Sequence, residues 1–142
     1  MAMLRVPVNS NDHIQGPDNA PMTLLEYGDY ECPYCGRTNP VVRRVQRYFG
    51  PRLRFAYRHF PLTEIHQRSE AAAETAEYAG AYGRFWEAHD MLFENQDHLG
   101  LPLFSRLCGH WDWRNRDFGT LWRTALLPTR YGAISSAACA VA

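Results

Sequence analysis

Lysine is missing altogether: all 15 basic residues are arginines, and 15 acids balance them to a net charge of zero. An all-arginine basic set reads as the mark of GC-rich coding. Zero net charge removes the attraction that draws proteins to nucleic acid or an anionic membrane, so neither is expected as a partner. No apolar run reaches the roughly 20 residues of a membrane-spanning helix. The amino end, Met1-Ala2-Met3-Leu4-Arg5-Val6-Pro7, lacks the apolar block of a secretory signal, so a cytoplasmic protein is expected. Cysteines number only four. Where thiols are kept reduced, a close pair points to catalysis or metal binding rather than to a structural bridge. In other respects the chain, 142 residues with 46% hydrophobic and 21% charged content, fits one globular domain with a moderate core.

What is present is Cys32-Pro33-Tyr34-Cys35, set between two contrasting stretches. Before it, Met22-Thr23-Leu24-Leu25-Glu26-Tyr27 reads as a short buried strand. After it, the pattern predicts an amphipathic helix over about Pro33–Phe49, closed by Gly50-Pro51. The alternation in Arg52-Leu53-Arg54-Phe55-Ala56-Tyr57-Arg58 predicts a half-buried second strand. A helix between two strands makes a βαβ unit with parallel strands, hence an α/β fold. Residues 1–21 are polar and rich in turn formers, and read as an arm leading into the fold. From Ser69 to about Asn95 the chain reads as helical, with Gly80 and Gly83 dividing it in two. After residue 100 the composition shifts: no glutamate, Asp112 and Asp117 as the acids, and three of the four tryptophans.

A Cys-x-x-Cys between strand and helix puts its first sulfur at the helix's amino end. The unpaired N–H groups there and the dipole favour a thiolate, the form that attacks disulfides. Pro33 suits the first helical position, having no N–H to lose. Cys32 is therefore read as the exposed nucleophile, and Cys35, one turn inward, as the resolving thiol. Glu26 lies on the preceding strand; buried beneath the pair, it would accept a proton from Cys35, whereas with the strand's faces reversed it would be a surface carboxylate. Zinc sites share the Cys-x-x-Cys spacing, and Cys108 with His110, or His59 with His66, are the candidate further ligands. Neither has a persuasive zinc spacing, so no metal is expected. His59 carries no assigned role, His89 on the helical stripe reads as a satisfied core or boundary histidine, and Cys108 and Cys139 read as incidental.

Asp12-His13, Gly16-Pro17 and the run Ala20–Cys35 resemble the DsbA-like branch of the thioredoxin superfamily. Leu53-Arg54-Phe55, Arg58-His59-Phe60-Pro61-Leu62 and Gly83-Arg84-Phe85-Trp86-Glu87-Ala88-His89-Asp90 do so as well. The resemblance covers about residues 12–99. It implies a thioredoxin-like fold with a helical insertion, over a partial domain 22–99. It also implies a thiol–disulfide oxidoreductase whose redox disulfide is Cys32–Cys35, with Glu26 on the acidic position some members carry. Protein thiols or disulfides would be the substrates and a separate redox partner would regenerate the pair, with no cofactor. Cys-Pro-Tyr-Cys is also the tetrapeptide of glutaredoxins, which makes a glutathione-dependent reductase the enzymatic alternative. The helical insert speaks against it.

The carboxyl-terminal part departs from that family. Its cis-proline segment, last two strands and last helix have no convincing counterpart, and Leu127-Pro128-Thr129 is a faint echo only. Synonymous codons for Arg130–Ala142 can be chosen whose shifted frame spells a family-like stretch. The expectation is therefore a frameshift after about His98, leaving residues 100–142 as a divergent, poorly ordered tail. On that reading the sheet shrinks to two strands, and a truncated, non-catalytic relic or binding module becomes the alternative to an enzyme.

Overall fold

The computed structural model describes residues 6–109, with side chains through residue 107. Strand β1 spans His13–Gln15, β2 Met22–Gly28 and β3 Leu53–His59. They form one sheet in the order β1-β3-β2, with β3 antiparallel to β1 and parallel to β2. The register sets Leu24 opposite Phe55, Glu26 opposite Tyr57 and Gly28 opposite His59. Helix α1, Pro33–Phe49, makes the crossover, so the expected βαβ unit is present with its strands parallel.

Helices α2 (Ser69–Ala81), α3 (Phe85–Glu94) and α4 (Leu101–Gly109) complete the fold. Gly83 separates the first two. It adopts φ +74, and the amides of Gly83 and Arg84 return to the carbonyls of Gly80 and Ala79 at 3.0 and 2.9 Å. That is a Schellman closure, which needs a left-handed residue and so favours glycine. Gly80 stays inside α2. On α3, Phe85, Ala88, His89, Leu92 and Phe93 are buried at the i, i+3, i+4 spacing of a core-facing stripe. On α2, Ala72, Ala76 and Ala79 offer short side chains to the core that Phe55 and Tyr57 share with α3.

Three expectations change. Among the described residues the sheet has three strands, because residues inside the supposed arm form β1. Strand β3 is buried on both faces rather than one, since the segment from Val6 to Asp12 covers its outer side. Helix α4 occupies residues assigned to the tail and buries Leu103, Phe104 and Leu107 in the core, which gives that segment an apolar reason to fold. The remainder of the tail, with its codon argument and Pro128, lies outside the described residues. Among the described residues no helix is long and apolar enough to cross a membrane.

Arg58 explains how a charged residue enters a central strand. Its Nε and Nη2 donate to the two carboxylate oxygens of Asp12 at 2.6 and 2.8 Å. Its remaining hydrogens go to the Tyr27 hydroxyl (2.8 Å) and the carbonyls of Val6 and Pro7 (3.0 Å each). All five guanidinium N–H groups are thus satisfied. Burial pushes the Asp12 carboxyl up, but Arg58 and the Asn9 backbone outweigh it and hold the pKa below its usual value. The pair's stabilisation is therefore full above the unfolded pKa of about 3.9 and is lost as pH falls through the folded value. The side chains of Arg58 and Asp12 are 6% and 9% exposed, so removing one partner strands the other. Arg58→Ala should lower the unfolding free energy in urea by about 3 kcal/mol at pH 7. A loss below about 1 kcal/mol would mean that the contact behaves as a surface pair.

Candidate active site

Between β2 and α1 the chain turns on Asp29, which is 3% exposed. Its Oδ1 accepts the Glu31 amide at 2.8 Å, an Asx turn, and its Oδ2 accepts the Leu62 amide at 2.9 Å. Oδ2 also meets His66 Nδ1 at 2.7 Å. The Asp29 carbonyl accepts the Cys32 amide at 3.2 Å, so one residue fixes the approach to the first cysteine.

Cys32 is the N-cap residue of α1, extended at φ −72, ψ 119, and Pro33 opens the helix. Its carbonyl accepts the Gly36 amide at 3.1 Å. No side chain caps this helix end and no acid lies in its first turn. Cys32 and Cys35 are both free thiols and both partly exposed. Cys35 packs against the core cluster. Burial pushes its thiol up to about 11, with the charges of Cys32 and Glu26 adding to the rise while the Asp29 backbone opposes it.

Glu26 shares the core-facing side of β2 with Leu24, not the side of the exposed Tyr27. Burial pushes its carboxyl up to about 6. Its charge raises the Cys35 thiol and the buried hydroxyls of Tyr30 and Tyr57. The three residues singled out from the sequence are therefore gathered at one end of β2. Among the described residues neither cysteine joins a cluster of three metal-ligating groups. His66 is bonded to Asp29 and His59 to Glu77, so the pairing proposed for a zinc site with the cysteines is not formed. His110 and Cys139 lie outside the described residues, as does the side chain of Cys108.

Two supporting residues escaped the sequence reading. Asp29 had a visible signal, an aspartate ahead of a helix start. Gln96 had none, since it lies in a short 3-10 turn after α3. Its Nε2 donates to the carbonyls of Tyr30 and Cys32, both at 2.8 Å. Gly36 makes room for it, because any Cβ there would run into the Gln96 amide. His89 is a satisfied core histidine: its Nδ1 meets the Tyr30 hydroxyl at 3.1 Å, and burial drops its pKa to about 3.

Comparison with known proteins agrees with this geometry. The thioredoxin family model matches residues 8–106. A protein named Na(+)/H(+) antiporter NhaA 1, from Salinispora arenicola, is 50% identical over 97 residues. That match covers 68% of this chain and 15% of the antiporter. The chain thus spans about 15% of the length of the first curated relatives it matches. Among solved structures, Pseudomonas aeruginosa DsbA2 is 30% identical with a TM-score of 0.53, over 63% of this chain and 49% of that one. Wolbachia pipientis alpha-DsbA1 T172V superposes with a TM-score of 0.75 at 18% identity, over 97% of this chain and 71% of that one. The fold is mixed α/β and thioredoxin-like, and the chain belongs to the thioredoxin family.

Proposed function

We propose that this chain exchanges disulfides with protein substrates through Cys32 and Cys35, with Glu26 as proton acceptor. The thiolate of Cys32 attacks a substrate disulfide; a Cys32–substrate S–S bond forms, and the other substrate sulfur leaves as a thiolate. Cys35 gives its proton to Glu26 and attacks the Cys32 sulfur. The mixed disulfide breaks, Cys32–Cys35 forms, and the substrate departs with two electrons gained. Run backwards, the oxidised pair takes two electrons from a substrate dithiol.

The observation that supports this reading is that Glu26 and Cys35 face the same core, where the charge of Glu26 adds to the rise of the Cys35 thiol. A thiol raised to about 11 is a poor nucleophile at neutral pH unless a base lies within reach. Glu26, raised to about 6, is ionised at pH 7 and facing the same core. The antiporter name of the relatives does not compete. Carrying ions across a bilayer takes membrane-spanning structure, and the stretch this chain matches is 15% of those proteins.

In an insulin-reduction or dithiol-oxidation assay, Cys32→Ser should abolish turnover. Cys35→Ser should instead accumulate a Cys32–substrate mixed disulfide, visible by mass under non-reducing conditions. No adduct with Cys35→Ser, or turnover surviving in Cys32→Ser, would overturn the assignment.

Glu26→Gln should slow the resolving step about 100-fold at pH 7 and erase the rise in its rate through pH 6. Stability should move the other way. A carboxyl raised above its unfolded value of about 4.3 binds its proton more tightly when folded, so stability falls as pH rises from about 4.3 through about 6. Glu26→Gln should therefore stabilise the protein at pH 8, by about 1 kcal/mol once partial solvent screening is allowed for. Slower resolution without that gain would mean that the carboxylate is exposed, which would overturn its role as the buried proton acceptor.

A further inference from the structure

A second group of reactive side chains lies outside the redox pair. His13 on β1, His59 at the end of β3 and Glu77 on α2 direct one ligand atom each to a common point, all within 4.8 Å of one another. Both imidazoles use Nε2 and both meet the same carboxylate oxygen, at 2.6 Å for His13 and 3.1 Å for His59. We propose that His13, His59 and Glu77 form a binding site for one divalent transition-metal ion, zinc being the ion whose chemistry fits best.

Two imidazoles and one carboxylate make a donor set that zinc accepts with a water in its fourth position. The rings are held by aromatic walls. His13 stacks on Phe85 with centroids 3.3 Å apart, and His59 stands edge-on to Tyr57 and Phe85 at 5.4 and 5.7 Å. Such packing fixes ring planes, as the surroundings of metal ligands do. His59 is 4% exposed and Glu77 11%, while His13 at 16% leaves a side through which ion and water enter.

The adjustment needed is small. Zinc bonds of about 2.0–2.1 Å in tetrahedral geometry set ligand atoms about 3.3 Å apart. The Glu77 oxygen must withdraw from His13 by about 0.7 Å, and the widest separation closes by at most about 1.5 Å, both within reach of side-chain torsions. The ion takes the place of the hydrogen between each Nε2 and the carboxylate; that hydrogen moves to Nδ1 or is released to solvent, so each bound ring is neutral with its hydrogen on Nδ1. Because the ligands come from β1, β3 and α2, the ion would tie the amino-terminal segment to both the sheet and the helical layer.

The experiment uses the full chain with all four cysteines replaced by serine, so that no thiol can bind. Titration with zinc chloride against a chromophoric chelator should find one ion per chain and a higher Tm with zinc than without. His13→Asn and Glu77→Gln in that background should each weaken zinc binding at least tenfold and remove the Tm rise. His13, the most exposed ligand, is the variant least expected to disturb folding, and Glu77→Gln keeps the shape of its side chain. Absence of stoichiometric zinc in the cysteine-free protein, or affinity that both variants leave within tenfold, would overturn the site.

Discussion

One buried carboxylate holds the redox loop in place. Asp29 faces the turn into α1 with one oxygen and the segment after β3 with the other. Without it, the chain between Gly28 and Cys32 has no internal partner for the Glu31 amide, and the Leu62 amide loses its acceptor too. A hydrogen bond to a charged acceptor is worth about 1.5–3 kcal/mol, and a buried donor left unpaired costs a similar amount. Two such bonds outweigh the entropy of ordering a three- or four-residue turn only in part. Gln96 supplies the rest from the opposite side by gripping the carbonyls of Tyr30 and Cys32. The helical insertion therefore contributes to the geometry of a cysteine that lies outside it.

Chemistry at the pair follows from an asymmetry of burial. Cys32 is at the mouth of α1, whereas Cys35 packs on the core with Glu26 on the same side of the sheet. Burial raises both the Cys35 thiol and the Glu26 carboxyl, and the charge of Glu26 adds to the rise at Cys35. Tyr30 and Tyr57, both raised further by burial, remain neutral hydroxyls that line this space without adding charge.

Much of this could be seen in the residues alone, where local pattern and local physics coincide. Helix α1 runs from Pro33 to Phe49 as its proline start and Gly50-Pro51 stop indicated, and α2 gives way to α3 at Gly83. Strand β1 was invisible because three residues cannot display a period; it is a strand through pairing with β3, a non-local condition. The double burial of β3 was hidden for the same reason. Its arginines looked like a solvent face until the Val6–Asp12 segment supplied four acceptor contacts to Arg58, with the Tyr27 hydroxyl as a fifth. Glu26 could be placed on a strand but not on a face, because its neighbours Leu25 and Leu24 are both apolar and register alone decides between them. Gln96 and the His13–His59–Glu77 group are tertiary gatherings that no spacing announces.

The extent of the family match has a physical counterpart. It begins at residue 8, beside the backbone that caps Arg58, and ends at residue 106, next to Leu107, the last buried side chain of the core cluster. Between those limits the sheet, its outer cover and the three-helix layer close on one another through Arg58, Phe55, Tyr57 and the apolar stripe of α3. A unit whose core closes within itself can be carried by a longer protein without surrendering contacts to it. That is consistent with a stretch 50% identical over 97 residues recurring as a small fraction of much longer relatives. The composition shift near residue 100 does not bound the core: α4 is held to it by the apolar area of Leu103, Phe104 and Leu107.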